Sequence, residues 1–203
     1  MQKYYIPIIG AISSGKTTFL KGFLGIDLLQ SGSTTTTKFV CLIKNSTNYS
    51  FYHVLPKKKD NTLSFEKSGE EIREEEQIKE KMIEINKTLS RKTVSINEFF
   101  YVLEMPIKTI NNEFILQNCY FMDIPGLNEG DKNYIEDIFS LISYNDILFE
   151  IIIFDSTNIG SDNILKIFNS LEDKNVLKKT NNLFILNKID QRSKDEEENI
   201  ISR

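Results

Sequence analysis

The 203-residue chain is expected to fold as an α/β domain: a mostly parallel sheet with helices on both faces, one antiparallel strand pair and a helical insertion. Three observations lead there. Short β-branched and aromatic runs alternate with amphipathic stretches, the pattern of strand–crossover–strand units. The sequence "GAISSGKT", residues 10–17, stands where the first run stops and a helical pattern starts. Two further polar motifs, "DIPGL" at 123–127 and "NKID" at 187–190, each follow a hydrophobic run. In open parallel sheets, ligands gather beyond the carboxyl ends of the strands.

Taken in order, "KYYIPII" (3–9) reads as a strand buried on both faces. Residues 15–24 read as a helix with Phe19, Leu20, Phe23 and Leu24 at core-facing spacing. "SGSTTTT" (31–37) is a polar loop, and "KFVCLI" (38–43) a second strand. Residues 45–65 are mixed and polar, with "PKKKDN" as an exposed turn. A charged helix follows, an insertion spanning about 66–92, whose Ile78, Met82, Ile85 and Leu89 form one apolar stripe. "FFYVLEMPI" (99–107) and "FILQNCYFMD" (114–123) read as strands joined by a hairpin-like connection. Residues 134–144 and 161–173 read as helices, and 147–155 and 182–190 as buried strands.

Composition narrows the function classes. The formal net charge of −4 argues against a nucleic-acid binder, which would carry a basic stripe. Cys41 and Cys119 lie in apolar stretches and read as buried free thiols of a reducing compartment. No run approaches eighteen apolar residues, and "MQKYYIPIIG" does not resemble a secretory signal. A cytoplasmic location is expected. "PKKK" (56–59) reads as a solvated basic patch, and the single histidine, His53, as a surface or packing residue.

Gly10, Gly15, Lys16 and Thr17 satisfy the G-x-x-x-x-G-K-[ST] pattern of the P-loop NTPase fold. Phosphate oxygens can be cradled only where several backbone N–H groups point into one concavity, and glycine permits both the path and the close approach. The following helix adds its unpaired N–H groups and positive end. Lys16 supplies a cation to the β- and γ-phosphates, and the Thr17 hydroxyl can ligate Mg2+; Ser14 and Thr18 belong to the same set of phosphate contacts. This motif alone leaves ATPases, nucleotide kinases and GTPases open.

Asp123, at a strand exit, can reach Mg2+ through a water, and Gly126 can offer a bare N–H to the γ-phosphate. The threonines of the 34–37 run offer hydroxyls for the metal, with the acting one left open. N-K-x-D suits guanine. The Asp190 carboxylate accepts from N1–H and the exocyclic amine, whereas adenine would leave a charged oxygen unpaired, a difference worth roughly 10^4 in discrimination. Asn187 can bond the base and tie its loop to the phosphate loop, and the Lys188 stem can cover the flat face of the base. GTP is therefore the expected ligand.

With these motifs in this order, the chain resembles the dynamin-like large GTPases. "GAISSGKTTFLKGFLGIDLLQSGSTTTT" is similar to that family's phosphate loop and first switch. "DIPGL" matches its D-x-P-G, and "SFEKSGEEIREEEQIKE" resembles its acidic helical stretch. The resemblance implies one GTPase domain over 1–203, expected to stop short at its C-terminus because the guanine-proximal motif beyond one more strand is missing. It implies Mg2+ held by Thr17, Thr37 and Asp123, with Thr36 the second choice for the switch threonine. It gives Ser13, Lys16 and Thr37 catalytic roles, Ser13 with a monovalent cation. It also implies self-association through the nucleotide face and a place peripheral to membranes, although no membrane contact is visible in this segment. Ile12 stands where many members carry glutamine, and "NKID" is closer to bacterial dynamin-like proteins. Leu127 replaces the water-orienting glutamine of small GTPases, so hydrolysis is expected to need the switch threonine, Ser13 and a cation or a second domain. Two alternatives stand beside this expectation: a nucleotide-gated switch with little turnover, and a septin-like or immunity-related GTPase.

Overall fold

The computed structural model describes residues 2–29, 37–59, 62–89, 99–126, 138, 141, 146–158, 181–188 and 190. The expected helices at 161–173 and, apart from Ile138 and Leu141, at 134–144 lie outside these residues, as do Thr36 and Leu127. The described elements are β1 (Tyr4–Gly10), α1 (Lys16–Leu24), β2 (Val40–Asn45), β3 (Ser50–Lys59), β4 (Thr62–Ile72), α2 (Glu75–Leu89), β5 (Phe100–Met105), α3 (Glu113–Asn118), β6 (Cys119–Asp123), β7 (Glu150–Asp155) and β8 (Asn182–Asn187). They build one eight-stranded sheet in the order β4-β3-β5-β2-β6-β1-β7-β8. The α/β fold class expected from the sequence is the one observed, with β2/β6, β3/β4 and β3/β5 antiparallel and the other pairs parallel.

Both faces of the sheet are apolar because its central strands alternate buried side chains to either side. On one face Ile6, Ile8, Cys41, Ile43, Leu103, Phe121 and Ile153 pack with Leu20 and Leu24 of α1 and Ile78, Met82 and Ile85 of α2. Those three α2 positions, with Leu89 packed against them, are the stripe read from the sequence. On the other face Tyr5, Ile9, Val40, Leu42, Phe100, Val102, Tyr120, Met122 and Ile152 pack with Ile138. Cys41 and Cys119 are free and buried, and burial pushes both thiols up, so neither is a ready thiolate.

α1 has punctuation at both ends. Gly15 precedes it with φ 93°, and Gly25 follows with φ 68°. The N–H groups of Gly25 and Ile26 both bond to the Lys21 carbonyl, closing the last turn in the left-handed manner that glycine allows.

Three expectations are corrected. First, 99–107 and 114–123 do not form a hairpin. β2 lies between β5 and β6, parallel to β5 and antiparallel to β6. The reason is the completely buried Val40–Ile43 segment, whose backbone groups need a ladder on both sides. The connection instead contains α3, capped by the Asn112 side chain, which accepts from the Ile115 N–H at 3.1 Å; residues 114–118 are therefore helix rather than strand.

Second, residues 50–59 and 62–72 form a long antiparallel ribbon where a polar loop and the start of the insertion helix were expected. Helix begins only at Glu75. Phe51 points to one core while Tyr52 and Val54 face the other, so β3 has a true strand period that the intervening charges mask. "PKKK" lies on this strand, and Lys57 pairs with Glu66 across the ribbon. Pro56 is tolerated because it lies past the last β3–β5 pairing, His53↔Tyr101, where β3 has only β4 beside it. His53 packs edge-on against the Tyr101 ring, 5.1 Å between centroids.

Third, β8 is not deeply buried: Leu183 and Phe184 are each about half exposed, on opposite faces. Among the described residues, no helix is long and apolar enough to cross a membrane.

Candidate functional site

β6, β1, β7 and β8 run parallel as neighbours, so their carboxyl ends share one rim. The register aligns Ile8 with Asp123, Gly10 with Ile153 and Asp155 with Asn187. Every sequence motif singled out for chemistry leaves the sheet from this rim, or, for Thr37, is brought back to it.

The loop after β1 turns tightly, with the Ser14 N–H on the Ala11 carbonyl at 3.2 Å. Ser13 is exposed and has φ 61°, a conformation that non-glycine residues adopt rarely. Glycine is required at two points. A Cβ on Gly10 would stand 2.5 Å from the Ile153 carbonyl oxygen and 2.6 Å from Ser14 Oγ. One on Gly15 would overlap Asn187 Nδ2, in addition to the positive φ. At Gly126 a Cβ would press on the Ile12 backbone at 2.8 Å, so the second motif is closed against the first loop.

Lys16 opens α1 and is buried, with Nζ donating to the carbonyls of Gly10 and Ala11, both at 2.8 Å. Burial lowers its pKa to about 8, with the charge of Asp123 opposing that shift. The ammonium thus rests folded against its own loop. Thr18, next along the helix, is exposed.

Thr17, Thr37 and Asp123 converge. Thr17 Oγ1 and Thr37 Oγ1 are 3.3 Å apart, and the two hydroxyls donate to Asp123 Oδ2 at 3.4 and 3.3 Å. Asp123 is fully buried, and burial raises its pKa to about 6 against the lowering effects of Lys16, Thr37 and Thr17. Its other oxygen, Oδ1, and the buried Ser14 hydroxyl have no hydrogen-bond partner among the described residues. A buried acceptor left unmade costs about 1–3 kcal/mol. The donor set therefore fits Mg2+: a hard cation taking oxygen ligands would answer the orphaned carboxylate oxygen and the raised pKa together, with Thr17, Thr37 and Asp123 to hold it. Among the described residues, no group of three His, Cys, Asp or Glu forms a rival metal centre.

At the far side of the rim, Asn187 Nδ2 donates to the Ser14 carbonyl at 2.9 Å, tying the N-K-x-D loop to the phosphate loop. Lys188 has φ 60° and pairs with Asp155 at 2.7 Å. Asp190 is exposed.

Two residues near the site escaped the sequence reading. Asp155 ends β7 and carries the Lys188 pair; its only signal was an acid at the end of a hydrophobic run. Asn86, on α2, accepts from the Lys38 N–H at 2.9 Å and so anchors the backbone beside Thr37; nothing in the local sequence marks it.

A family model described as the dynamin family matches residues 6–189. No curated protein matches. Among solved structures, the chain is similar in fold to members of an oligomerised bacterial dynamin pair described as providing a mechanism for the long-range sensing and tethering of membranes. One match has a TM-score of 0.59 at 18% identity, covering 100% of this chain and 29% of the other. The second has a TM-score of 0.56 at 18% identity, with 98% and 28% coverage. The chain thus spans less than a third of the length of the structures it matches.

Proposed function

The chain belongs to the dynamin family, and from that premise we propose that it binds GTP with Mg2+ and hydrolyses it to GDP and phosphate. The observation that carries the reading is the 2.9 Å bond from Asn187 to the Ser14 carbonyl. It joins a guanine-type loop to a phosphate-type loop, as a nucleotide bridging the two would require.

In this reading the N–H groups at the start of α1 receive the phosphates, and Lys16 leaves the Gly10 and Ala11 carbonyls to follow them. Thr17, Thr37 and Asp123 would hold Mg2+, which would supply charge neutralisation on the β- and γ-phosphates. Gly126 offers its N–H to the γ-phosphate. Thr37 orients the attacking water, and Ser13 supports the charge that develops, with a monovalent cation as its partner. Asp190 reads the guanine edge, and Asn187 and Lys188 secure its plane. Phosphoryl transfer depends mainly on positioning and charge stabilisation, which these groups supply without a covalent step.

The chain is expected to prefer GTP over ATP by roughly 10^3-fold or more, and Asp190→Ala to erase most of that preference. Calorimetry with both nucleotides checks this; equal affinities in the unmutated chain would overturn the base assignment.

We further propose that hydrolysis is coupled to self-association through the nucleotide face, at a location peripheral to membranes. Leu127 cannot orient water, so a single domain leaves the attacking water incompletely held. The bacterial dynamin structures similar in fold are described as an oligomerised pair that tethers membranes. Phosphate release per chain is expected to rise about ten-fold or more between dilute and concentrated protein, the gain that positioning one group can give. A rate negligible at every concentration would favour the reading as a nucleotide-gated switch.

A further inference from the structure

We infer that Asp155, at the carboxyl end of β7, is a positioning residue that fixes Lys188 for guanine and so sets base affinity without touching the base. The inference rests on the GTP reading above and deepens it.

Four observations converge on Asp155. β7 and β8 pair in parallel with Asp155 opposite Asn187, so the chain leaving β8 emerges beside this carboxylate. Lys188 Nζ donates to Asp155 Oδ2 at 2.7 Å. The other oxygen, Oδ1, accepts from the Thr157 N–H at 3.0 Å and from Thr157 Oγ1 at 2.6 Å, within the short helical turn Ser156–Asn158. The carboxylate is therefore locked on both oxygens, and Asp155 is only 6% exposed. Burial would raise its pKa, but the bonds from Lys188 and Thr157 outweigh that and hold it below the ordinary value, so it stays charged.

The consequence falls on Lys188. Its backbone has φ 60°, a conformation a lysine seldom adopts unaided. The residue before it is tethered to the Ser14 carbonyl through Asn187, and its own ammonium is tethered to β7. A four-carbon stem free in solution samples many rotamers; held at both ends, it spans the exits of β7 and β8. Ordering that is complete in the folded chain need not be repeated on binding, and the affinity of the base improves accordingly. The phosphate loop gains nothing from this pair, so the two halves of the nucleotide should respond differently to its loss.

The test is calorimetry with GDP, ADP and inorganic pyrophosphate on the parent chain, Asp155→Asn and Thr157→Val, each with a thermal melt. Asp155→Asn is expected to weaken GDP by about 3- to 10-fold while pyrophosphate stays within about two-fold, because only base-side preorganisation is lost. In a Lys188→Ala background, Asp155→Asn should cost less than about two-fold more, since Asp155 acts only through that lysine. Thr157→Val, which keeps the ion pair but loosens the carboxylate, should give a milder GDP loss in the same direction. Unchanged GDP affinity in a folded Asp155→Asn, or equal losses for GDP and pyrophosphate, would overturn the inference. If Asp155→Asn does not fold, an unaltered GDP-to-pyrophosphate ratio in Thr157→Val does so instead. A parent chain that binds ADP as well as GDP would sink the guanine reading itself, a separate and distinguishable result.

Discussion

Lys16→Ala is expected to weaken GTP binding by at least about 10^2-fold in a chain that still folds. Charge-assisted bonds of the kind Lys16 would make to phosphate oxygens are each worth roughly 1.5–3 kcal/mol, and two of them reach that factor. Stability should change much less, because opposing effects meet at this residue. The ammonium is buried, and its pKa falls from 10.5 to about 8. A base whose folded pKa is depressed carries a cost that is full below the folded value and fades as pH rises from about 8 towards 10.5. At pH 7 alanine removes that cost together with the two bonds to the Gly10 and Ala11 carbonyls. It also removes the cation that lowers the pKa of Asp123, which should move further up. Calorimetry with GTP and a thermal melt on the same preparation separate the two effects. Affinity retained within ten-fold in a folded variant would show that this lysine is not the phosphate ligand.

The second large effect concerns Asp123→Asn, expected to stabilise the metal-free chain at pH 7.5 and to lower the rate of GTP hydrolysis by about 10^2-fold or more, as loss of an electrostatic group does. The sign follows from the raised pKa, about 6 against 3.8. An acid with a raised folded pKa contributes stability that is full below about 3.8 and is lost as pH rises through about 6. At neutral pH the ionised, buried carboxylate therefore costs on the order of 3 kcal/mol. Asparagine keeps the shape without the charge, so the variant should melt higher than the parent at pH 7.5 and close to it near pH 4. Adding Mg2+ with GTP should reverse the order, because ligand bound only by the folded parent stabilises it in proportion to its affinity. Melting curves at the two pH values, with and without Mg2+ and GTP, are the measurement. A metal-free variant less stable than the parent at pH 7.5 would mean that Asp123 is ionised at no cost, with no unmet charge for a cation to answer.

These two residues could be singled out in the sequence because the features that mark them are local. A lysine at the start of a helix after a glycine-rich turn, and an aspartate leaving an apolar strand, need only a few neighbours to be recognised. The same holds for Gly15, whose left-handed backbone is a demand of the turn itself, and for the α2 stripe, which follows from the helical repeat. β3 and β4 were misread because their strand period is masked by lysines, glutamates and a proline that only a ribbon with one open edge tolerates. The 99–123 region was misread because a plausible turn, "KTINNE", says nothing about whether a third strand must pass between its flanks.

The sequence by itself therefore determined the chemistry available at each strand exit and the α/β class, since both depend on periodicity and on backbone freedom within a few residues. Only the tertiary structure decided the neighbours: β2 lying between β5 and β6, Asn86 holding the backbone beside Thr37, and Asp155 gripping Lys188 from the next strand. The physical reason is that buried ladders and buried charges must be satisfied by whatever lies beside them in space, and that partner can stand dozens of residues away with no mark of its role in the local sequence.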